Sequence, residues 1–277
     1  MSEKSASSSV DVLSFDAVIG TGMNVIVPDW PAPDSVKAFV TTRVGGVSKQ
    51  PFDSLNLGDH VGDDLAAVRR NRFLLKQMLP SGIRLQWLKQ VHGTHVVQVS
   101  SVSRALRPKT GDAAVVFDRG IGAVVMTADC LPVFFTNTAG SVAAVAHAGW
   151  RGLLNGVLEQ TIESTGVSPA DLMAWMGPAI AACHFEVGQE VRDAFLGHPQ
   201  WGQHFVPGLT SAFISSPFHA DKFLMDIYAV ARARLLVAGV QFVGGGGLCT
   251  VCEERRFFSY RRDHTTGRMA SLIYLNR

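Results

Sequence analysis

One stretch near the middle of the chain limits the fold more than any other. It runs G-I-G-A-V-V-M-T-A-D-C-L-P-V-F-F and, after a short gap, S-V-A-A-V-A-H-A-G-W-R-G. Gly122 to Thr127 and Ser141 to Ala146 are apolar and rich in β-branched residues, so each reads as a buried strand. The first run stops at Ala128-Asp129-Cys130 and the second at His147. Two adjacent strands ending this way would set a thiol and an imidazole on one rim of a sheet. The turn Gly149-Trp150-Arg151-Gly152 then feeds a helix. Its glycines let backbone approach a ligand, and Arg151 can meet an anion.

The rest of the chain adds strands faster than helices. Strands are predicted at Asn24 to Val27, Lys37 to Thr42, Leu85 to Lys89, Val96 to Val99, Ala113 to Phe117, Val240 to Val243 and Met269 to Leu275. Trp175-Met176 leads into G-P-A-I. Helices are predicted from Asp63 or Asp64, as N-cap, to about Met78 with Leu65, Val68, Leu75 and Met78 inward. Others run from Leu153 to Thr165, Val187 to Leu196 and Asp221 to Ala238, with Gly239 as the stop. Residues 100 to 111 read as a polar connector and 197 to 220 as loop. There is no strict βαβ alternation, which argues α+β, with sheets packed face to face and helices outside. Residues 1–20 begin M-S-E-K-S-A-S-S-S and read as a flexible leader, and 21–277 as a single catalytic domain. No signal peptide and no apolar run of membrane-spanning length is apparent, so the expected location is cytoplasmic, with no membrane partner. A formal net charge of +2 without basic blocks excludes nucleic acid as the expected partner. Four cysteines in 277 residues suit a reducing compartment.

The chemistry concentrates on three side chains. Taken alone, Cys130 reads as a small buried hydrophobe and His147 as a hydrogen-bonded structural residue. His92, in L-K-Q-V-H-G-T-H-V-V, supplies a third group. Two histidines and a cysteine make a good zinc set that leaves one position open for water or substrate. Asp129 either orients the thiolate from behind or serves as a cap or turn residue. His95 reads as structural. Cys183 reads as packing, because it and His184, as neighbours in a strand, would point apart. Cys249-Thr250-Val251-Cys252 has C-x-x-C spacing without a second such pair, which excludes a four-cysteine zinc site and leaves a core or loop role.

Five motifs in order, Q-V-H-G, T-A-D-C-L-P, A-H-A-G-W-R-G, G-P-A-I and F-F-S-Y-R-R-D-H-T-T-G-R, resemble the YfiH/laccase-domain family from about Phe39 to the C-terminus. Members have been called polyphenol oxidases and, later, zinc-dependent purine nucleoside phosphorylases with adenosine deaminase activity. The resemblance implies a layered α/β/β/α sandwich of two mixed sheets flanked by helices. It implies His92, Cys130 and His147 as metal ligands and catalytic centre, with zinc as cofactor. Copper(II), which binds such donors more tightly, is the alternative ion. It implies a purine nucleoside (adenosine, inosine or methylthioadenosine) and phosphate as partners, with Arg262 at the phosphate. Arg43 and Asn56 lie in matching N-terminal motifs. Trp150 and Phe258 are expected walls for the purine ring, and Arg261 a surface ion-pair partner. Two other readings stand beside this one. Cys130 and His147 could form the nucleophile and base of a cysteine hydrolase or deamidase, and the older name implies copper-dependent oxidation of phenols.

Overall fold

The strands, in chain order, are β1 (Val12–Ser14), β2 (Asn24–Ile26), β3 (Val36–Thr41), β4 (Arg84–Lys89), β5 (Val96–Val99), β6 (Lys109–Thr110), β7 (Ala113–Val116), β8 (Ile121–Thr127), β9 (Leu131–Asn137), β10 (Ala143–Ala148), β11 (Leu172–Met176), β12 (Glu186–Gly188), β13 (Phe213–Ser215), β14 (Lys222–Met225), β15 (Phe242–Gly245) and β16 (Met269–Leu275). They were traced in a computed structural model that describes residues 12–14, 23–100, 107–202 and 206–276. A seven-stranded sheet has the order β1-β2-β3-β16-β8-β4-β6, and a six-stranded sheet the order β15-β11-β9-β10-β7-β5. Both are mixed: β8 pairs antiparallel with β16 but parallel with β4, and β7 antiparallel with β10 but parallel with β5.

Side chains alternate faces along each strand, and the burial follows that alternation. Ala123 and Val125 of β8 and Ile273 of β16 meet Val145 of β10 and Phe134 of β9 in a core between the sheets. Val124 and Leu272 face the other way, onto Leu74 and Leu75 of α1 (Leu65–Gln77). On the far side, Ala144, Ala146 and Phe135 pack with Val157 and Leu158 of one helix and Val230 and Leu235 of another. The result is the expected α/β/β/α layering. A three-stranded sheet, β12-β14-β13, sits beside it.

Several local readings change. Val12–Ser14, inside the expected leader, pairs antiparallel with β2; the other residues up to 20 lie outside the described residues. In α1, Asp64 is the N-cap, accepting from the Ala66 N–H at 2.9 Å. Leu65 is exposed, and Asn71 takes a buried place on the inward face. The expected helix from Leu153 to Thr165 is broken into α2 (Trp150–Asn155) and α3 (Val157–Ser164) by Gly156, whose φ of +98° ends the first in a left-handed cap. An alanine Cβ there would also lie 2.9 Å from the Trp201 ring. Residues 189–196 form α4 (Gln189–Leu196) behind β12, and the pattern from Asp221 divides into β14 and α5 (Ile227–Val237). Asp226 caps α5 by accepting from Ala229 N–H at 2.9 Å. Among the described residues no helix is long and apolar enough to cross a membrane.

Candidate metal centre and substrate pocket

The two runs that drew attention in the sequence belong to different sheets. β8 lies in the seven-stranded sheet and β10 in the six-stranded one, so the two runs are not adjacent strands. The missing piece is β9, which pairs antiparallel with β10 and places Pro132 opposite His147. Cys130 therefore sits on the crossover from one sheet to the other. His92 sits on a second crossover, between β4 and β5. The two crossovers meet, and one ligand atom from each of His92, Cys130 and His147 lies within 4.8 Å of the others. Cys130 Sγ is 3.8 Å from His92 Nε2, and the two imidazole rings stand edge to face at 4.8 Å.

Asp112, a residue that spacing in the sequence did not single out, organises this set. Fully buried at the start of β7, its carboxylate faces His147 Nδ1 at 2.9 Å. It also accepts the backbone N–H groups of His92 and Gly93 at 2.8 Å and of Val91 at 3.2 Å. Those bonds hold His92 at a φ of +60°, a conformation uncommon for a side chain of this size. With Nδ1 directed to Asp112, the Nε2 of His147 is the ring nitrogen that could bind a metal. Its only signal in the sequence was a lone acid in a Gly-Asp turn before a strand. Gln90 adds a second brace, exchanging two 2.8 Å bonds with the backbone of Met126 and so tying the His92 turn to the end of β8.

Asp129, at a φ of +91°, braces Cys130 in the same manner. Its carboxylate accepts the Thr250 hydroxyl and the Arg261 N–H, both at 2.6 Å. The glycines of A-H-A-G-W-R-G are also explained. A Cβ at Gly149 would stand 2.9 Å from Cys130 Sγ and 3.0 Å from His92 Cδ2, and one at Gly152 would stand 2.9 Å from the Gly93 carbonyl. Gly149→Ala should therefore displace two ligands and cut metal occupancy while the fold survives. Full occupancy by elemental analysis would contradict this.

The ring nitrogens and thiol are electrostatically coupled. Burial would raise the Cys130 thiol, but the His147 imidazolium and the His92 ring bring it down to about 6. Burial would lower His147, but the Cys130 thiolate and the Asp112 carboxylate push it up to about 9. The metal-free pair is thus a thiolate beside an imidazolium between those values, holding one proton. Metal must displace that proton, so zinc affinity should rise about tenfold per pH unit across this window. It should rise more steeply below it, where the thiol is also protonated. Competition against a chelator of known affinity, repeated from pH 5.5 to 9.5 (roughly the span of both groups), measures the slope; a flat profile would rule the coupling out.

A cavity of about 500 Å³ opens over His92, Cys130 and His147. Met126, Trp150, Ile180, Phe185, Ile227 and Tyr260 supply apolar lining, Arg151, Arg261 and Arg268 supply cationic lining, and His60 adds an imidazole. Several expectations move here. Arg262 is outside the lining: its guanidinium donates to the carbonyls of Thr250, Val251 and Phe257 and to the Asp263 carboxylate. That makes it a backbone staple. Arg43 donates to the Asp53 and Glu254 carbonyls, with its guanidinium over the Phe258 ring at 4.8 Å. Phe258 is fully buried between the sheets and is no pocket wall, whereas Trp150 is one. Asn56 is buried; its Oδ1 accepts the Arg268 backbone N–H at 2.9 Å and so supports the pocket at one remove. Arg261, read as a surface ion-pair partner, lines the cavity and donates to the His184 and Glu186 carbonyls.

Residues 37–276 match the family model described as multi-copper polyphenol oxidoreductase laccase. The chain belongs to that family. A Pseudomonas aeruginosa protein named purine nucleoside phosphorylase is 50% identical over 251 residues, covering 90% of this chain and 98% of its own length. An Escherichia coli relative, purine nucleoside phosphorylase YfiH, is 48% identical, covering 91% of this chain and 98% of its own. Among solved structures, a Neisseria meningitidis protein superposes with a TM-score of 0.83 at 48% identity, covering 91% of this chain and 99% of its own. YlmD from Geobacillus stearothermophilus gives 0.79 at 31% identity, covering 91% of this chain and 96% of its own.

Proposed function

We propose that this chain is a zinc-dependent enzyme that phosphorolyses purine nucleosides (adenosine, inosine and methylthioadenosine), with deamination of adenosine as a second activity. In phosphorolysis a phosphate oxygen bonds to the anomeric carbon as the carbon–nitrogen bond to the base breaks. The products are the free base and the sugar 1-phosphate: ribose 1-phosphate from adenosine or inosine, and 5-methylthioribose 1-phosphate from methylthioadenosine. The observation that carries the reading is the coincidence, in one cavity, of a His/Cys/His set, an apolar wall and a cationic group of Arg151, Arg261 and Arg268. The names of the relatives support the nucleoside.

The donor set suits zinc: a thiolate, the free nitrogen of a carboxylate-oriented imidazole and a second imidazole leave a fourth position open. A divalent ion there supplies Lewis-acid stabilisation of developing negative charge. The side chains do the rest. The arginines hold the phosphate, and planar guanidinium groups match its oxygens. The Arg268 charge interacts with the Cys130 thiolate, which places this guanidinium within electrostatic reach of the His/Cys/His set. Trp150, Phe185 and Tyr260 exclude water from the purine ring and position it. The phosphate role implied for Arg262 passes to Arg268, because the donors of Arg262 are committed to backbone carbonyls. Arg43 and Asn56 become supports of the pocket frame.

A cysteine hydrolase remains the second reading, favoured by the thiol held down at about 6 beside His147. The two differ in their response to metal. Chelation is expected to abolish base release from inosine and adenosine, and added zinc to restore it; a thiolate nucleophile would instead be freed by chelation. Base and ammonia release, assayed with and without phosphate before and after chelation, decide it. Activity that rises on metal removal would establish the hydrolase. Phenol oxidation would need several copper ions acting together, whereas among the described residues a single metal-competent cluster lines the cavity.

A further inference from the structure

The geometry points to a second, structural zinc site on the surface, formed by Cys183, His184, Cys249 and Cys252, outside the lining of the substrate cavity. One ligand atom from each lies within 4.8 Å of the others. Five of the six spacings match the edges of a tetrahedron, and the sixth, from Cys249 to Cys252, lies within 4.8 Å. Cys183 Sγ lies 3.7 Å from Cys249 Sγ and 3.6 Å from Cys252 Sγ. His184 Nδ1 lies 3.2, 3.8 and 3.3 Å from the sulfurs of Cys183, Cys249 and Cys252. Tetrahedral zinc with its usual bond lengths requires sulfur–sulfur edges of about 3.8 Å and sulfur–nitrogen edges of about 3.5 Å. Sulfurs in a disulfide would stand at about 2.0 Å.

Two features of the backbone fit the same ion. Cys183 and His184 lie in a turn rather than a strand, so adjacent side chains converge where a strand would separate them. That overturns the reading of Cys183 as packing, and it supplies the ligands that the single C-x-x-C lacked. The backbone N–H groups of Ala181, Cys252 and Val251 are directed at Cys249 Sγ, the arrangement that stabilises a metal-bound thiolate. Four protein ligands close the coordination sphere, so the site has no place for substrate and acts as a clip. It clamps the loop after β11 to the loop after β15. These loops already touch through the Ala179–Cys249 bridge and the bond from Thr250 N–H to the Ala179 carbonyl at 3.1 Å. Both loops brace the pocket: Thr250 holds Asp129, Ile180 N–H donates to the Asp129 carbonyl, and His184 and Glu186 carbonyls hold Arg261.

The test is metal stoichiometry on the full chain, purified under reducing, oxygen-free conditions without chelator and then saturated with zinc and desalted. Wild type should hold two zinc ions per chain. Cys183→Ser/Cys252→Ser should hold one and melt at a lower temperature, and His92→Ala should also hold one. Both changed side chains of the double variant are exposed, so it should fold, as circular dichroism can check. Cobalt(II) gives an independent reading. The strong thiolate-to-cobalt charge-transfer band of a three-sulfur site should persist in His92→Ala and vanish in the double variant. A double variant with undiminished zinc and an unchanged cobalt spectrum would overturn the second site, as would wild type with one zinc and these thiols either freely reactive or joined in a disulfide. Loss of metal only in the double variant, with none in His92→Ala, would leave this site standing and count against the catalytic one.

Discussion

Asp112→Ala is expected to weaken metal binding at the His92–Cys130–His147 centre by about 10- to 100-fold, as loss of a carboxylate behind a ligating imidazole does elsewhere. The effect should be large because one carboxylate does two jobs. It fixes the His147 ring through Nδ1, and it holds His92 through the N–H groups of residues 91 to 93. Removing it leaves buried donors unpaired, releases the left-handed turn at His92 and lets His147 rotate. The carboxylate is also one of the groups that raise the His147 pKa. In the variant that pKa should fall, so the rise of zinc affinity with pH should level off at a lower value than in wild type. Chelator competition across pH reads both effects, and turnover at saturating zinc separates lost affinity from lost chemistry. Unchanged zinc affinity would deny Asp112 its orienting role. Asp112→Asn should recover part of the loss, since its amide oxygen still accepts one backbone N–H.

Arg268→Ala should raise the phosphate concentration needed for half-maximal base release by about one to two powers of ten, the equivalent of roughly 1.5–3 kcal/mol for a charge-assisted contact. Its NH1 donates to the carbonyls of Thr266 and Gly267, and Asn56 holds its backbone, so the guanidinium is set in place before substrate arrives. Arg268→Lys should recover only part, because an ammonium cannot make a planar two-point contact. Ammonia release from adenosine should fall less than base release. Arg262→Ala is the contrast. It should lower the melting temperature, since three backbone carbonyls lose their donors, and leave the phosphate dependence nearly unchanged. Initial rates against phosphate for all three variants distinguish the roles. Equal loss of both activities in Arg268→Ala, at unchanged phosphate dependence, would make Arg268 a structural residue.

The motif F-F-S-Y-R-R-D-H-T-T-G-R held two of the three arginines of the pocket, but the choice among its own three arginines needed coordinates. Arg261 and Arg268 line the cavity and Arg262 does not. Nothing in spacing says that the Arg262 guanidinium will fold back onto the carbonyls of Thr250, Val251 and Phe257, because the path of the segment leading into the motif decides it. The same holds for Phe258: an aromatic in a family motif reads as a ring wall, yet it is buried in the core between the sheets.

What the sequence determined by itself is local. Apolar, β-branched runs dictated the strands, to the residue for β5 and β16, and their number against few helices dictated the face-to-face sheets. His92, Cys130 and His147 stood out because each ends or interrupts such a run with a metal donor. Helix lengths were overstated where Gly156 and Asp226 break an otherwise continuous apolar pattern, since periodicity does not register a left-handed glycine or an N-cap in mid-run. Tertiary structure decided the rest. Two crossovers between sheets bring His92 to Cys130, and Asp112, distant in sequence from both His92 and His147, becomes their common anchor. Likewise Cys183 and His184 meet Cys249 and Cys252 only because parallel pairing of β11 with β15 carries the loops that follow them to the same end of the sheet. These are contacts between residues far apart in the chain, and their formation depends on the register and direction of strand pairing, which no single stretch of sequence contains.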